Sequence, residues 1–274
     1  MRKNILLRVV AGTVILLLAV CGCFLLWEAN RPPEYLEFNQ TQIPVEREVK
    51  KNPYAPEFFT MDGDGFVHYN GEDRTASLIL DVSSHQGRID WAQVASAGVD
   101  GVMIRAGYRG YGSVGNIMED DYFRDNIQKA SAAGLRVGVY FFSQAVNEDE
   151  AREEARFLLD CTADFDLSLP VAFDWERVDV ESARTNGIGK EQLTSIACAF
   201  LDEVERGGQK PMLYFNRETA YLMYTLGDLT DYAFWLAEYD AYPSFYYDFA
   251  MWQYACVLTV PGIGGAVDTN LYFE

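Results

Sequence analysis

From Ser77 to the C-terminus, short apolar runs alternate with stretches of helical periodicity, and this alternation is the strongest constraint on what the chain can fold into. LILDVS (78–83), GVMIRAGY (101–108), LRVGVYFFS (135–143), LPVAFDWE (169–176) and PMLYFN (211–216) have the length and residue types of strands. Helices are expected over 89–98, 119–133, 147–161, 190–206 and 217–226, with further strands over 231–239 and 249–254. Such alternation implies an α/β fold with a mostly parallel sheet and crossover helices. Runs that are apolar on both faces require a sheet covered on both sides or closed into a barrel. The late strands have little helix between them, so the end of the barrel is expected to be irregular.

The chain has 274 residues, 49% hydrophobic and 14% aromatic, enough to bury a sizeable core. Its formal charge of −19 repels phosphate backbones, which argues against a nucleic-acid partner. Cys161, Cys198 and Cys256 lie outside the N-terminal apolar stretch and cannot all pair; buried free thiols with at most one disulfide are expected. With only His68 and His85 and no C-x-x-C, nothing is available to build a structural zinc site, and no cofactor is expected.

The first part of the chain reads differently. Residues 1–8 are basic, and 9–27 (Val9 to Trp27) form an uncharged apolar stretch of the length that spans a bilayer as a helix. The positive-inside rule puts the N-terminus in the cytoplasm and the body outside, as a single-pass signal anchor of the cell membrane; a cleaved signal peptide, giving a secreted form, or lipidation at the loosely lipoprotein-like run Val20-Cys21-Gly22-Cys23 is the rival reading. Residues 28–60, with Pro32, Pro33, Pro44, Pro53 and Pro56 among polar residues, read as an extended stalk. Residues 61–76 read as a lead-in hairpin turning at Asn70-Gly71, and 77–274 as the barrel.

In α/β barrels the reacting groups stand at the C-terminal ends of the strands. Asp81 ends LIL, Asp174 and Glu176 end VAF, Glu238 and Asp240 follow FWLA, and Asp268 lies in GGAVDTN. Asp174 and Glu176 are two apart in a strand and so share one face, opposite Phe173 and Trp175. Carboxylates crowded in a partly apolar site do not all ionise, which keeps a proton available for general acid work. Helix capping or pairing with arginine would use the same residues. A cleft rich in carboxylates and aromatics but poor in metal ligands and histidine best matches glycosidic bond cleavage. Tyr108, Tyr140, Phe142, Trp235, Tyr239 and Trp252 lie near strand ends where sugar rings could stack, although an aromatic in a strand is more often core than ligand. Ser83 and Ser84 precede His85 without the spacing of a nucleophile–base pair. The glycine-rich run 107–112 lacks the lysine of a phosphate loop and reads as a cleft-rim loop. Asn147 to Glu150 read as a helix N-terminus.

Four stretches in order carry a resemblance. Asp81-Val82-Ser83-Ser84-His85-Gln86-Gly87-Arg88-Ile89-Asp90-Trp91 resembles the opening signature of glycoside hydrolase family 25, the muramidases of the Chalaropsis (cellosyl-like) type. Phe173-Asp174-Trp175-Glu176 is similar to the family's D-x-E strand. Met251-Trp252-Gln253-Tyr254 followed by Val267-Asp268-Thr269-Asn270 resembles its closing motifs. The resemblance implies an irregular TIM-like (β/α)5β3 barrel that hydrolyses the β-1,4 bond between N-acetylmuramic acid and N-acetylglucosamine in peptidoglycan. It implies Glu176 as general acid, with Asp174, Asp81 and Asp268 as the other acidic site residues. Asp174 would orient the substrate's 2-acetamido group, or a carboxylate would act directly as nucleophile. Tyr140, Trp235, Tyr239, Trp252 and Gln253 would contact sugar. The implied partner is the peptidoglycan of a Gram-positive-like cell, reached from the membrane by a monomeric protein. A non-catalytic glycan-binding module, or a hydrolase of chitin-like N-acetylglucosamine polymers, would use the same cleft.

Overall fold

The computed structural model describes residues 31–274 together with Val20. The apolar stretch expected to anchor the chain, and the basic residues before it, lie outside the described residues apart from Val20. No helix among the described residues is long and apolar enough to cross a membrane. The chain divides into two units, Met1–Val45 and Glu46–Glu274. In the first, β1 (Tyr35–Phe38) and β2 (Thr41–Pro44) form an antiparallel hairpin whose turn residues Asn39 and Gln40 both have positive φ, 49° and 62°. That is the geometry of the tight hairpin turns matching strand twist.

The second unit opens with a small hairpin, β3 (Phe59–Met61) and β4 (Val67–Tyr69), followed by the barrel. Its elements in order are β5 (Ala76–Val82), α1 (Trp91–Ser96), β6 (Gly101–Arg109), β7 (Ile117–Glu119), α2 (Phe123–Ala132), β8 (Arg136–Ser143), α3 (Glu148–Thr162), β9 (Val171–Trp175), α4 (Lys190–Arg206), β10 (Pro211–Asn216), α5 (Arg217–Met223), β11 (Ala233–Ala237), β12 (Met251–Thr259) and β13 (Ala266–Phe273). Strands β5, β6, β8, β9, β10, β11 and β12 are parallel neighbours in that order. β13 then runs antiparallel to both β12 and β5 and closes the barrel. Five strand–helix units followed by three strands make the irregular barrel expected.

Local sequence explains the elements. Every residue of β9 is buried, as a strand covered on both faces requires. In α4 the buried Leu193, Ile196, Ala197, Phe200, Leu201 and Val204 recur at helical spacing. Asn147 caps α3 by accepting from the Glu150 N–H at 2.9 Å, as the acidic run suggested. The lower barrel interior is filled by Ile79, Met103, Ala172, Met212 and Met251. Gly138 makes room for this layer, since a Cβ there would stand 2.5 Å from the Met103 sulfur and 2.6 Å from the Pro170 carbonyl oxygen.

The residues expected to form a stalk depart from that reading. From Glu46 onward they pack on the barrel, because β11, β12 and β13 have no crossover helices to cover their outer faces. Tyr54 packs on Phe249 and Phe273 with ring centroids 4.7 and 4.2 Å away, and Phe59 meets Trp252 at 5.3 Å. The Tyr54 hydroxyl donates to the Phe249 carbonyl at 2.8 Å and accepts from Arg74 at 2.7 Å. Farther along, the Gly227 N–H donates to Glu46 Oε2 at 2.6 Å. The prolines read as linker signals space the aromatic anchors of a covering strap.

Smaller departures have local causes. The lead-in hairpin turns at Asp62–Phe66, where Asp62 Oδ1 accepts from the Asp64 and Phe66 N–H groups at 3.0 and 2.9 Å; Asn70-Gly71 follows β4. The helix expected from residue 119 starts at Phe123, because Ile117–Glu119 pair with β6. No strand was read over 266–273, where β13 lies. Of the three thiols outside the N-terminal stretch, all free, Cys161 is buried, Cys198 half-buried and Cys256 exposed.

Candidate active site

The C-terminal ends of the barrel strands meet around a cleft of about 1020 Å³. Asp81 (β5), Arg105 (β6), Tyr140 (β8), Asp174 and Glu176 (end of β9), Tyr214 (β10), Trp235 (β11), Gln253 (β12) and Asp268 (β13) all line it. The four carboxylates singled out from sequence therefore come to one place, from three strands. Strand alternation puts Asp174 and Glu176 inside, while Phe173 turns outward onto Phe200 of α4, with ring centroids 5.0 Å apart.

Asp81 is the most firmly held. Its Oδ2 accepts from Asn270 Nδ2 at 2.7 Å and from Gln253 Nε2 at 3.0 Å. Asn270 is itself fixed, accepting from the Trp235 indole N–H at 2.7 Å and donating to the Ile79 carbonyl at 3.1 Å. Gln253 Oε1 accepts from the hydroxyls of Tyr239 at 2.7 Å and Tyr214 at 3.3 Å. Asp174, also buried, differs: its Oδ1 is enclosed with no hydrogen-bond donor among the described residues.

Burial and mutual repulsion move the acids together. Burial pushes Asp81 up to about 7, reinforced by the Asp268 charge and opposed by its two amide donors. Burial, then the Glu176 and Asp81 charges, hold Asp174 well above the ordinary carboxylate range. Glu176 is raised by burial against the Tyr214 hydroxyl, and Asp268 is pushed up to about 6 by burial and the Glu176 charge. Such a cluster retains protons near neutral pH. Arg105 supplies a cation to the cleft while tied to Asp120 at 2.7 Å and to Ser84 Oγ at 3.0 Å.

Four of the five residues expected to contact sugar line this cleft: Tyr140, Trp235, Tyr239 and Gln253. Trp235 is almost wholly buried in its floor, whereas Tyr239 is 57% exposed on its rim. Trp252 is a correction. It is fully buried on the outward face of β12, its indole N–H donating to the Glu238 carbonyl at 2.8 Å, so it belongs to the packing beneath the strap. Glu238 and Asp240 do not line the cleft either; the Glu238 carboxylate accepts from Arg217 at 2.8 Å and from the Ser244 and Phe245 N–H groups, tying down the loop after β11. Tyr108, Phe142, Gly110 and Gly112 line the cleft, so the glycine-rich run forms rim. Ser83 Oγ accepts from the His85 N–H and Ser84 Oγ from Arg105, an arrangement that builds a turn.

Sequence reasoning gave no role to Arg105, Tyr214 or Asn270. The signal available for Arg105 was a lone charge inside an apolar strand. Tyr214 and Asn270 offered only their inward parity with residues already chosen.

A closed α/β barrel with acids at its C-terminal mouth and aromatic walls defines the glycoside-cleaving class. Residues 80–263, more than half of the chain, match the sequence profile described as glycosyl hydrolases family 25, and the chain belongs to that family. It is similar to the uncharacterized protein YegX of Escherichia coli O6:H1 (strain CFT073), 31% identical over 198 residues that make up 70% of this chain and 68% of that one. The autolytic lysozyme of Clostridium acetobutylicum is 27% identical over 198 residues, 71% of this chain and 55% of its own. Among solved structures, the modular autolysin LytC of Streptococcus pneumoniae, in complex with a synthetic peptidoglycan ligand, aligns with a TM-score of 0.66 at 22% identity, over 89% of this chain and 52% of LytC. That likeness shows the fold. The chain spans about half the length of LytC and of the clostridial lysozyme.

Proposed function

We propose that this enzyme is a peptidoglycan muramidase that hydrolyses the β-1,4 bond between N-acetylmuramic acid and N-acetylglucosamine with net retention, assisted by the substrate's own acetamido group. The observation that carries the mechanism is the buried Oδ1 of Asp174, which lies beside Glu176 and has no donor among the described residues. A buried acceptor without a partner is costly, and the N–H of a 2-acetamido group is the donor such a substrate brings.

In this reading Glu176, whose hold on its proton is strengthened by burial, gives that proton to the leaving glycosidic oxygen as the C1–O bond breaks. Asp174 accepts the acetamido N–H, so the amide carbonyl oxygen bonds to C1 and forms a cyclic intermediate. Glu176, now ionised, takes a proton from water, whose oxygen attacks C1 and reopens the ring with the original configuration. Asp81 and Asp268 stabilise the positive charge that develops near C1. The lysozymes among its relatives support peptidoglycan as substrate. The uncharged run 9–27, preceded by basic residues, supports placing the barrel on the outer side of the cell membrane.

Glu176→Gln should abolish release of reducing ends from purified peptidoglycan while the thermal unfolding midpoint is maintained; undiminished release would overturn the assignment. Retained tight glycan binding with no products from the wild-type enzyme would instead identify a binding module.

A further inference from the structure

Glu176 lines two cavities. Besides the main cleft, it borders a neighbouring pocket of about 320 Å³ formed by the ends of β9 and β10 and by α5, with Trp175, Arg177, Asn216, Glu218 and Met223 in its walls. Asp81, Asp174 and Asp268 line only the main cleft. Under the reading proposed above, on which this inference rests, the general acid stands at the bond being broken. The main cleft then holds the sugar whose C1 reacts, and the pocket beyond Glu176 lies on the leaving-group side.

The arginines around the cleft are committed: Arg105 to Asp120, Arg109 to Glu154 at 2.6 Å, Arg184 to Glu150 at 2.7 Å and Arg217 to Glu238 at 2.8 Å. Arg177 is exposed and, among the described residues, holds no carboxylate; its guanidinium donates only to the Met223 sulfur, at 3.7 Å. Glu218, in the same pocket, is likewise exposed and without a cation among the described residues. Trp175 is 2% exposed, and its indole N–H is buried with no acceptor among the described residues. An unpaired guanidinium, an unpaired carboxylate and an unsatisfied N–H in one pocket do not match a neutral sugar ring. They match a ligand with both carboxylates and amide N–H groups, which in peptidoglycan is the peptide stem. On a chain of net charge −19, a cation beside the acid that holds no carboxylate among the described residues gives an anionic stem a local attraction.

We infer that the Arg177 pocket binds the peptide stem of the N-acetylmuramic acid one sugar beyond the leaving N-acetylglucosamine, making the enzyme selective for strands that still bear stems. The test compares un-cross-linked peptidoglycan strands with the same strands after an N-acetylmuramoyl-L-alanine amidase has removed the stems. The wild type should prefer the stem-bearing strands. Arg177→Glu should raise KM on them about tenfold, the effect of losing a charge-assisted contact, and leave cleavage of bare strands unchanged; Arg177→Lys should retain most of the preference. Equal activity of wild type and Arg177→Glu on stem-bearing strands, or equal losses on both substrates, would overturn the inference while leaving the muramidase reading intact. If the wild type cleaves neither, the muramidase reading itself fails and this inference falls with it.

Discussion

Asp81 and Asp268 face each other across the antiparallel pair of β5 and β13, so the contact that closes the barrel also brings two carboxylates together at the mouth of the cleft. Closure and chemistry are therefore opposed. Each acid has a raised pKa, about 7 for Asp81 and about 6 for Asp268, so the folded state binds protons that the unfolded chain has already released. The stabilisation from these protons is complete below the ordinary carboxylate pKa and is lost as pH rises through about 6 to 7.

Asp268→Asn should consequently raise the melting temperature by about 2–4 °C at pH 8 and leave it unchanged at pH 4, while glycan hydrolysis falls sharply. Calorimetry at the two pH values, paired with reducing-end assays, checks the relation. Equal melting shifts at both would mean that the acid pair stores no such cost.

Asn270 holds Asp81 in place at 2.7 Å. Asn270→Ala should lower kcat by about 10- to 100-fold, the worth of a hydrogen bond to a charged group, with KM changing far less. Loss of this donor should also move the Asp81 titration upward, visible by carboxyl NMR.

Gln144 is fully buried and reaches Glu176, the proposed acid, only through the backbone. Its amide donates to the Glu176 carbonyl at 3.0 Å and to the Ser143 carbonyl at 2.8 Å, and accepts from the Thr185 hydroxyl at 3.0 Å. It is a positioning residue. If Glu176 is the acid as proposed, Gln144→Ala should cut kcat about tenfold with little change in KM and shift the alkaline limb of the pH–rate curve. A uniform loss of folded protein, with normal kinetics in what remains, would assign Gln144 to stability alone.

Much of this was legible along the chain because it is local. Strand parity placed Asp174 and Glu176 on one face, and helical spacing found α4 at residues 190–206 without the fold. What was not legible depends on distant pairing. β13 shows as a strand only once β5 and β12 flank it. Trp252 and Gln253 are adjacent in sequence yet face opposite sides of β12, and nothing local says which side is the cleft. The strap was misread for a similar reason: its prolines are a local signal of extended chain, whereas the reason its aromatics are buried is the absence of helices over β11–β13.

That absence makes the strap a structural requirement. Tyr54→Ala removes a buried ring packed on Phe249 and Phe273, and should destabilise the barrel by about 3–5 kcal/mol in urea or thermal unfolding. An unchanged midpoint would show that the strap covers the strands without stabilising them.

The most direct measurement of the central claim is mass analysis of peptidoglycan digested by the enzyme and then reduced with borohydride. Soluble fragments ending in reduced N-acetylmuramic acid, absent when Glu176→Gln replaces the wild type, are the predicted result. Fragments ending in reduced N-acetylglucosamine, or the same products from the Glu176→Gln variant, would contradict it.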